Sequence, residues 1–213
     1  GDPLAAKWSL AVIQDVVRRY DVDGVHVDDY FYPYPKDKLP FPDDASYAAY
    51  RDGGGELARD DWRRQNIDTF VERMYRLVHD EKPHVMVGIS PFGIARPGVP
   101  AGIKAGVDQY DQLYADVPKW LREGWLDYLS PQLYWAIDQK DQAFEPLLAY
   151  WHAQNPKGRA IWPGLAAYRA LEAKAPFRPD ELTQQIERIR SADTKLPGYV
   201  LYSFKSLRSD AEH

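Results

Sequence analysis

Two hydrophobic periods alternate along the chain. Trp8, Val12 and Val16 recur at helical spacing within residues 5–19, with Leu4 leading in, so a helix with an inward apolar side is expected there. Residues 22–29 then read as a strand. Side chains alternate faces along a strand, which puts Val25 and Val27 on one side and Gly24, His26 and Asp28 on the other. The exchange repeats: Ile67, Phe70, Val71, Met74 and Val78 mark a helix over 65–79, and 84–90 reads as a strand. A shorter helix over about 113–122 precedes a strand over 126–134. A helix over 144–153, carrying Phe144, Leu147, Leu148 and Trp151, precedes a strand over 160–165. Pro179 suits a first helical position, Leu182, Ile186 and Ile189 follow at helical spacing, and a fifth strand falls at 199–204.

Helix and strand in alternation predict a parallel sheet with crossover helices. An open doubly wound sheet and a β/α barrel both satisfy that, and loop lengths separate them. Entries into strands are short (20–21, 80–83, 123–124, 155–158, 195–198), whereas exits are long, above all 30–60 and 91–111. The strand exits also carry Asp28, Asp29, Ser90, Gln132, Tyr134, Ser203 and Lys205. Long polar loops leaving strand C-termini are the habit of barrel enzymes, whose active sites lie on that face. Five strands are too few for the usual eight. Residues 1–213 are therefore expected to be a single incomplete barrel domain, lacking three strand–helix units before the first helix and one helix after the last strand. The first and fifth strands should be non-adjacent edges, covered by a neighbouring chain or by the missing portion.

Composition narrows the chemistry. Cysteine is absent, which excludes disulfides, thiolate metal sites and a Cys nucleophile. A net charge of −5 without a Lys/Arg block argues against nucleic acid as a partner. No apolar run approaches the ~20 residues of a membrane span, and no glycine-rich phosphate loop supports a nucleotide cofactor; no cofactor is expected. Seven Trp and 15 Tyr are material for a core and also for sugar platforms, since Tyr and Trp pair an apolar body with a polar edge.

Asp28-Asp29 is the sharpest candidate, two acids where a strand turns into a loop. Glycoside hydrolysis needs two carboxyl roles, or one acid plus a substrate group as nucleophile. Two close carboxylates repel, so one is expected to keep its proton near neutrality. The plain alternative is a capping or loop-anchoring turn. His26 reads as an orienting histidine beside Asp28 or, with less support, as a metal ligand; His79, His84, His152 and His213 fall where they do not join it, and no metal is assigned. Gln132 and Tyr134 share a strand face and point into the mouth, to bind sugar or to fill the barrel. Trp135 is placed to stack on a sugar, Trp162 in the core, and Ser90 at a strand end within reach of a ligand. The loop 30–50, rich in Tyr, Phe and Pro, reads as a cleft wall that includes Tyr30 and Tyr32. In Asp61-Trp62-Arg63-Arg64 the acid is expected to cap a helix. Arg63 is the candidate anchor for the acidic pair or a substrate carboxylate, or else a surface arginine.

Five ordered segments carry a resemblance. They are Tyr20-Asp21-Val22-Asp23-Gly24-Val25-His26-Val27-Asp28-Asp29-Tyr30-Phe31-Tyr32-Pro33, Asp61-Trp62-Arg63-Arg64-Gln65-Asn66-Ile67, Gly88-Ile89-Ser90-Pro91-Phe92-Gly93-Ile94, Tyr114-Ala115-Asp116 with Trp120, and Ser130-Pro131-Gln132-Leu133-Tyr134-Trp135. Together they resemble the glycoside-hydrolase-like family 10 domain of bacterial cell-envelope proteins. The resemblance implies a barrel whose strands four to eight are the five seen here, and an O-glycosyl hydrolase in the cell envelope, periplasmic or secreted. It implies an N-acetylated glycan substrate, with peptidoglycan glycan strands foremost. The adjacent acids also resemble those of barrel N-acetylhexosaminidases, which implies Asp28 as orienter of an attacking acetamido group and Asp29 as acid. The rival assignment makes Asp28 a covalent nucleophile, with Asp29, Asp61 or Asp116 as the acid. Asp116 joins the binding candidates. Two other readings stay open: a non-catalytic carbohydrate-binding or scaffold barrel, and a metal hydrolase.

Overall fold

The computed structural model describes residues 2–36, 39–172, 177–193 and 195–208; Asp37 and Lys38 of the long loop, and His213, lie outside them. The elements run α1 (Pro3–Arg19), β1 (Gly24–Val27), α2 (Asp44–Asp52), α3 (Arg59–Glu81), β2 (Met86–Ile89), α4 (Gln109–Gln112), α5 (Val117–Glu123), β3 (Tyr128–Leu129), α6 (Phe144–Ala153), β4 (Ala160–Ile161), β5 (Gly164–Ala166), a 3-10 turn (Ala167–Ala170), α7 (Glu181–Ala192), β6 (Val200–Tyr202) and α8 (Phe204–Arg208).

The strands pair in chain order and all in parallel: β1 with β2, β2 with β3, β3 with β4, and β5 with β6. A bridge between Gln132 and Gly164 carries β3's path onto β5, so the two sheets form one run. β4 and β5 are a single expected strand broken at Trp162-Pro163, where proline has no N–H to give to a ladder. β1 and β6 are the two ends and do not pair with each other. The winding never reverses, which removes the doubly wound alternative and leaves a partial barrel.

Alternation sorts the two faces. Val87, Ile89, Leu129, Ile161 and Leu165 point outward and are fully buried, packed with Val71, Met74 and Val78 of α3, Trp120 and Leu121 of α5, Leu147 and Trp151 of α6, and Ile189 of α7. The inward side carries His26 and Asp28, both exposed, and small residues beside large ones. Gly88 shows why: a Cβ there would sit 1.8 Å from the Tyr128 ring, which occupies its space. Small–large alternation is how barrel interiors fill.

Several expectations need correction. The Leu4, Trp8, Val12 and Val16 side of α1 is exposed, with Trp8 at 74%, and Leu10 and Val17 are the residues α1 buries. The long exit from β1 contains α2. α3 begins earlier than the apolar period suggests, so Asp61 lies inside its first turn and pairs with Arg64 at 2.8 Å, while Ala58 is the N-cap residue without a side-chain cap. Phe204 starts a helix and does not extend β6.

Candidate active site

The inward face at the strand exits is built around Asp28. The Gln132 amide Nε2 donates to its Oδ1 at 2.8 Å and to the Ser90 carbonyl at 3.2 Å, and the Asp29 backbone N–H donates to the same carboxylate at 3.0 Å. One glutamine therefore ties the exits of β1, β2 and β3 together. Below it, His26 Nδ1 lies 2.8 Å from the Tyr128 hydroxyl, and Tyr128 stacks on Trp162 with ring centroids 4.9 Å apart. Desolvation of its inner edge against Tyr128 holds the His26 imidazole below its ordinary pKa, against the pull of the Asp28 charge. Trp162 is half-buried in this interior layer and donates to the Leu196 carbonyl at 3.1 Å.

Asp29 turns the other way. It is buried, 4% exposed, and the Tyr34 hydroxyl donates to its Oδ2. Burial raises its pKa, the Tyr34 bond pulls it down, and the charge of Asp28 raises it further. A raised acid beside an ionisable partner is what the adjacent pair leads one to expect, but desolvation is the leading cause, ahead of repulsion. Tyr34 itself is pushed far above the ordinary phenol range by burial and by Asp29. Tyr134, half-buried across the mouth, is also pushed upward, by burial first and by Asp28 second, so it keeps its proton.

The other candidates disperse. Ser90 is buried at the end of β2, presenting its carbonyl to Gln132. Trp135 sits edge-on to Phe92 at 5.8 Å, and its carbonyl and the next-but-one N–H are held by Gln185 and Glu181 of α7. Tyr30 is exposed, 5.8 Å from Tyr34. Tyr32 is buried between Phe41 and Tyr114 and serves the loop's own packing. Arg63 does not reach the acidic pair. Its guanidinium forks onto Asp43 at 2.7 and 2.6 Å, under the surface, and gives Tyr114 a half-buried third bond at 2.5 Å. That bidentate geometry fixes the long loop to α3. Asp116 caps α5, accepting from the Lys119 N–H at 3.1 Å. Tyr34, Tyr128, Glu181 and Gln185 escaped sequence reasoning. Tyr34 lay in a run of aromatics with nothing to single it out, and Glu181 and Gln185 looked like surface positions of an amphipathic helix. Among the described residues no group of three His, Asp or Glu could hold a metal ion.

Parallel strands wound in one direction with helices on their outer side define a partial β/α barrel, with the Asp28-Asp29 pair at the end of its first strand. Its fold resembles that of bee venom hyaluronidase in complex with a hyaluronic acid tetramer, with a TM-score of 0.56 at 12% identity, over 97% of this chain and 72% of that one. Residues 1–179 match the family described as glycosyl hydrolase-like 10, and the chain belongs to that family. It is 38% identical over 99% of its length to glycosyl hydrolase YngK of Bacillus subtilis (strain 168), and 32% identical over 95% of its length to glycosyl hydrolase DigH of Escherichia coli (strain K12). The chain spans 42% and 48% of those two proteins. No helix among the described residues is long and apolar enough to cross a membrane.

Proposed function

We propose that this chain carries the acidic face of an envelope glycoside hydrolase that cleaves an N-acetylated bacterial glycan, foremost the glycan strands of peptidoglycan. The observation that carries the reading is the contrast within one dipeptide. Asp28 is exposed, turned into the mouth and held as an acceptor by the Gln132 amide. Asp29 is buried, with its pKa raised. One carboxyl is open to the mouth to meet the substrate, and the other is the candidate proton donor, which matches the two carboxyl roles of glycoside hydrolysis. In this reading Asp29 protonates the glycosidic oxygen as the anomeric C–O bond breaks. Asp28 steadies the positive charge at the anomeric carbon or orients an acetamido group that attacks it. Water then adds at that carbon and returns its proton to Asp29. The Tyr134 hydroxyl, kept protonated, donates to the sugar. The Tyr34 contact covers Asp29, so substrate entry must turn Tyr34 aside.

That cover favours one second reading, a binding barrel in which Asp29 is a structural acid. Asp28→Asn and Asp29→Asn in the full-length protein separate the two. Each should lower release of reducing ends from peptide-free glycan strands by at least about a hundredfold, the scale of losing an acid–base group, with folding kept because Asn is nearly isosteric. Unchanged turnover in both variants overturns the assignment. Tight glycan binding without turnover in the wild type selects the binding barrel.

A further inference from the structure

Past Asp28 and Gln132 the inward face becomes aromatic. Tyr134 follows β3, and Ala166 of β5 pairs with Tyr202 of β6. The small Ala166 side chain leaves room for Tyr134 and Tyr202 to stack, with ring centroids 5.7 Å apart and planes 24° from parallel. Gly164 serves the same packing, since a Cβ there would come within 3.2 Å of the Tyr134 ring. Tyr168, from the 3-10 turn, stands edge-on to both rings, at 6.3 and 6.2 Å and nearly perpendicular. None of the three phenol oxygens makes a hydrogen bond among the described residues. Tyr202 is 54% exposed, so its ring face away from Tyr134 is open, while Tyr134 and Tyr168 are half-buried.

We propose that Tyr202, backed by Tyr134 and walled by Tyr168, is a stacking subsite for one pyranose ring of an N-acetylated glycan, adjoining Asp28. The proposal rests on the glycosidase reading and adds Tyr168 and Tyr202 to the binding residues. Pyranoses present a face of C–H bonds to an aromatic ring and hydroxyl or acetamido groups at its rim, which matches an apolar ring face bordered by phenol hydroxyls. Tyr134 and Tyr202 are too close for a ring to enter between them, so the sugar sits on the free face of Tyr202. Gln132, two residues before Tyr134 on the same inward side, donates to Asp28 at 2.8 Å, which makes this corner continuous with the acidic pair.

The test is calorimetric titration of the full-length protein with a soluble N-acetylglucosamine oligosaccharide. Tyr202→Ala should raise Kd about tenfold, the scale of one aromatic contact, and Tyr202→Phe should bind within about twofold of wild type, because the ring face remains. Tyr202→Leu keeps apolar bulk without a flat face and should behave like the alanine variant. It stands in should that variant unfold. Wild-type binding matched by Tyr202→Ala and Tyr202→Leu overturns the subsite and leaves the glycosidase reading intact. A wild type that neither binds nor cleaves any N-acetylated oligosaccharide overturns the reading and the subsite together.

Discussion

The middle of the molecule and its flanks use the same apolar periodicity to different ends. In the middle, β2 and β3 have neighbours on both sides. Trp120 of α5 is fully buried there, with its indole N–H donating to Asp68 at 2.7 Å. At the flanks, Leu4, Trp8, Val12, Val16 and Tyr20 run along α1 at four-residue intervals and all stand exposed, and Leu196, Val200, Phe204 and Leu207 do so around β6. A cavity of about 700 Å³ opens between the start of α1, the exit of β1 and the aromatic loop. The difference teaches that a helical stripe specifies a face to be covered, and that what covers it is a separate matter. We propose that further segments of the full-length protein cover the α1 stripe and the edge of β6 while leaving the inward ring face of Tyr202 open to the mouth, as the relatives' greater length allows.

The sharpest way to break the comparison is to truncate one tryptophan in each region. Trp120→Ala should cost about 3–5 kcal/mol in urea unfolding, as expected for a large buried aromatic. Trp8→Ala in this chain should change stability by no more than about 0.5 kcal/mol. In the full-length protein Trp8→Ala should become destabilising by about 2 kcal/mol or more, as burial of that side chain requires. A Trp8 variant as stable as wild type at full length would show that α1 faces solvent there as well.

Much of this was legible in the sequence because periodicity reports directly on which face is buried. The five strands and the helix Phe144–Ala153 follow from that alone, and the barrel class follows once the long polar loops leaving the strands are added. Strand alternation also separated Val25 and Val27 from His26 and Asp28. Boundaries and partners were less legible. The polar start of α3 carries no apolar period, so its first turn was invisible. Arg63 could not be assigned, because Asp43, which claims it, lies 20 residues away in a loop of unpredictable path. Asp116 illustrates the general ambiguity of Asp: the residue type that suits catalysis also suits a helix cap, and only the neighbouring N–H groups decide.

A second test sharpens the boundary between the open inward face and the closed loop, where Asp29 sits. Its pKa is raised on folding, so the native state binds that proton more firmly than the unfolded chain does. The stabilisation from Asp29 is complete below the ordinary carboxylate range and is lost as pH rises through the elevated native value. Asp29→Asn should therefore flatten stability against pH on the alkaline side of that range. A pH profile parallel to wild type would mean that the carboxyl is solvated in solution and that Tyr34 does not cover it.

The smallest effect expected is at the seam joining flank to middle. Arg18 of α1 donates to both carboxylate oxygens of Glu81 at the end of α3, at 2.8 Å each, and Gln14 adds a bond at 3.1 Å. These bonds hold the Glu81 carboxyl down at about 2, with the Arg18 hydrogen bonds the main cause. A depressed native value means that the clamp contributes fully above the ordinary glutamate pKa and fades as pH falls toward about 2. Arg18 is largely exposed, so salt should weaken the clamp and its effect should be a fraction of a buried pair's. Glu81→Gln should lower stability slightly at neutral pH and converge with wild type as pH falls toward about 2, and hydrogen exchange at neutral pH should quicken in α1 before α3. Unchanged exchange in both helices would show that α1 is bound to the middle of the molecule by its buried Leu10 and Val17 contacts, with the clamp contributing nothing.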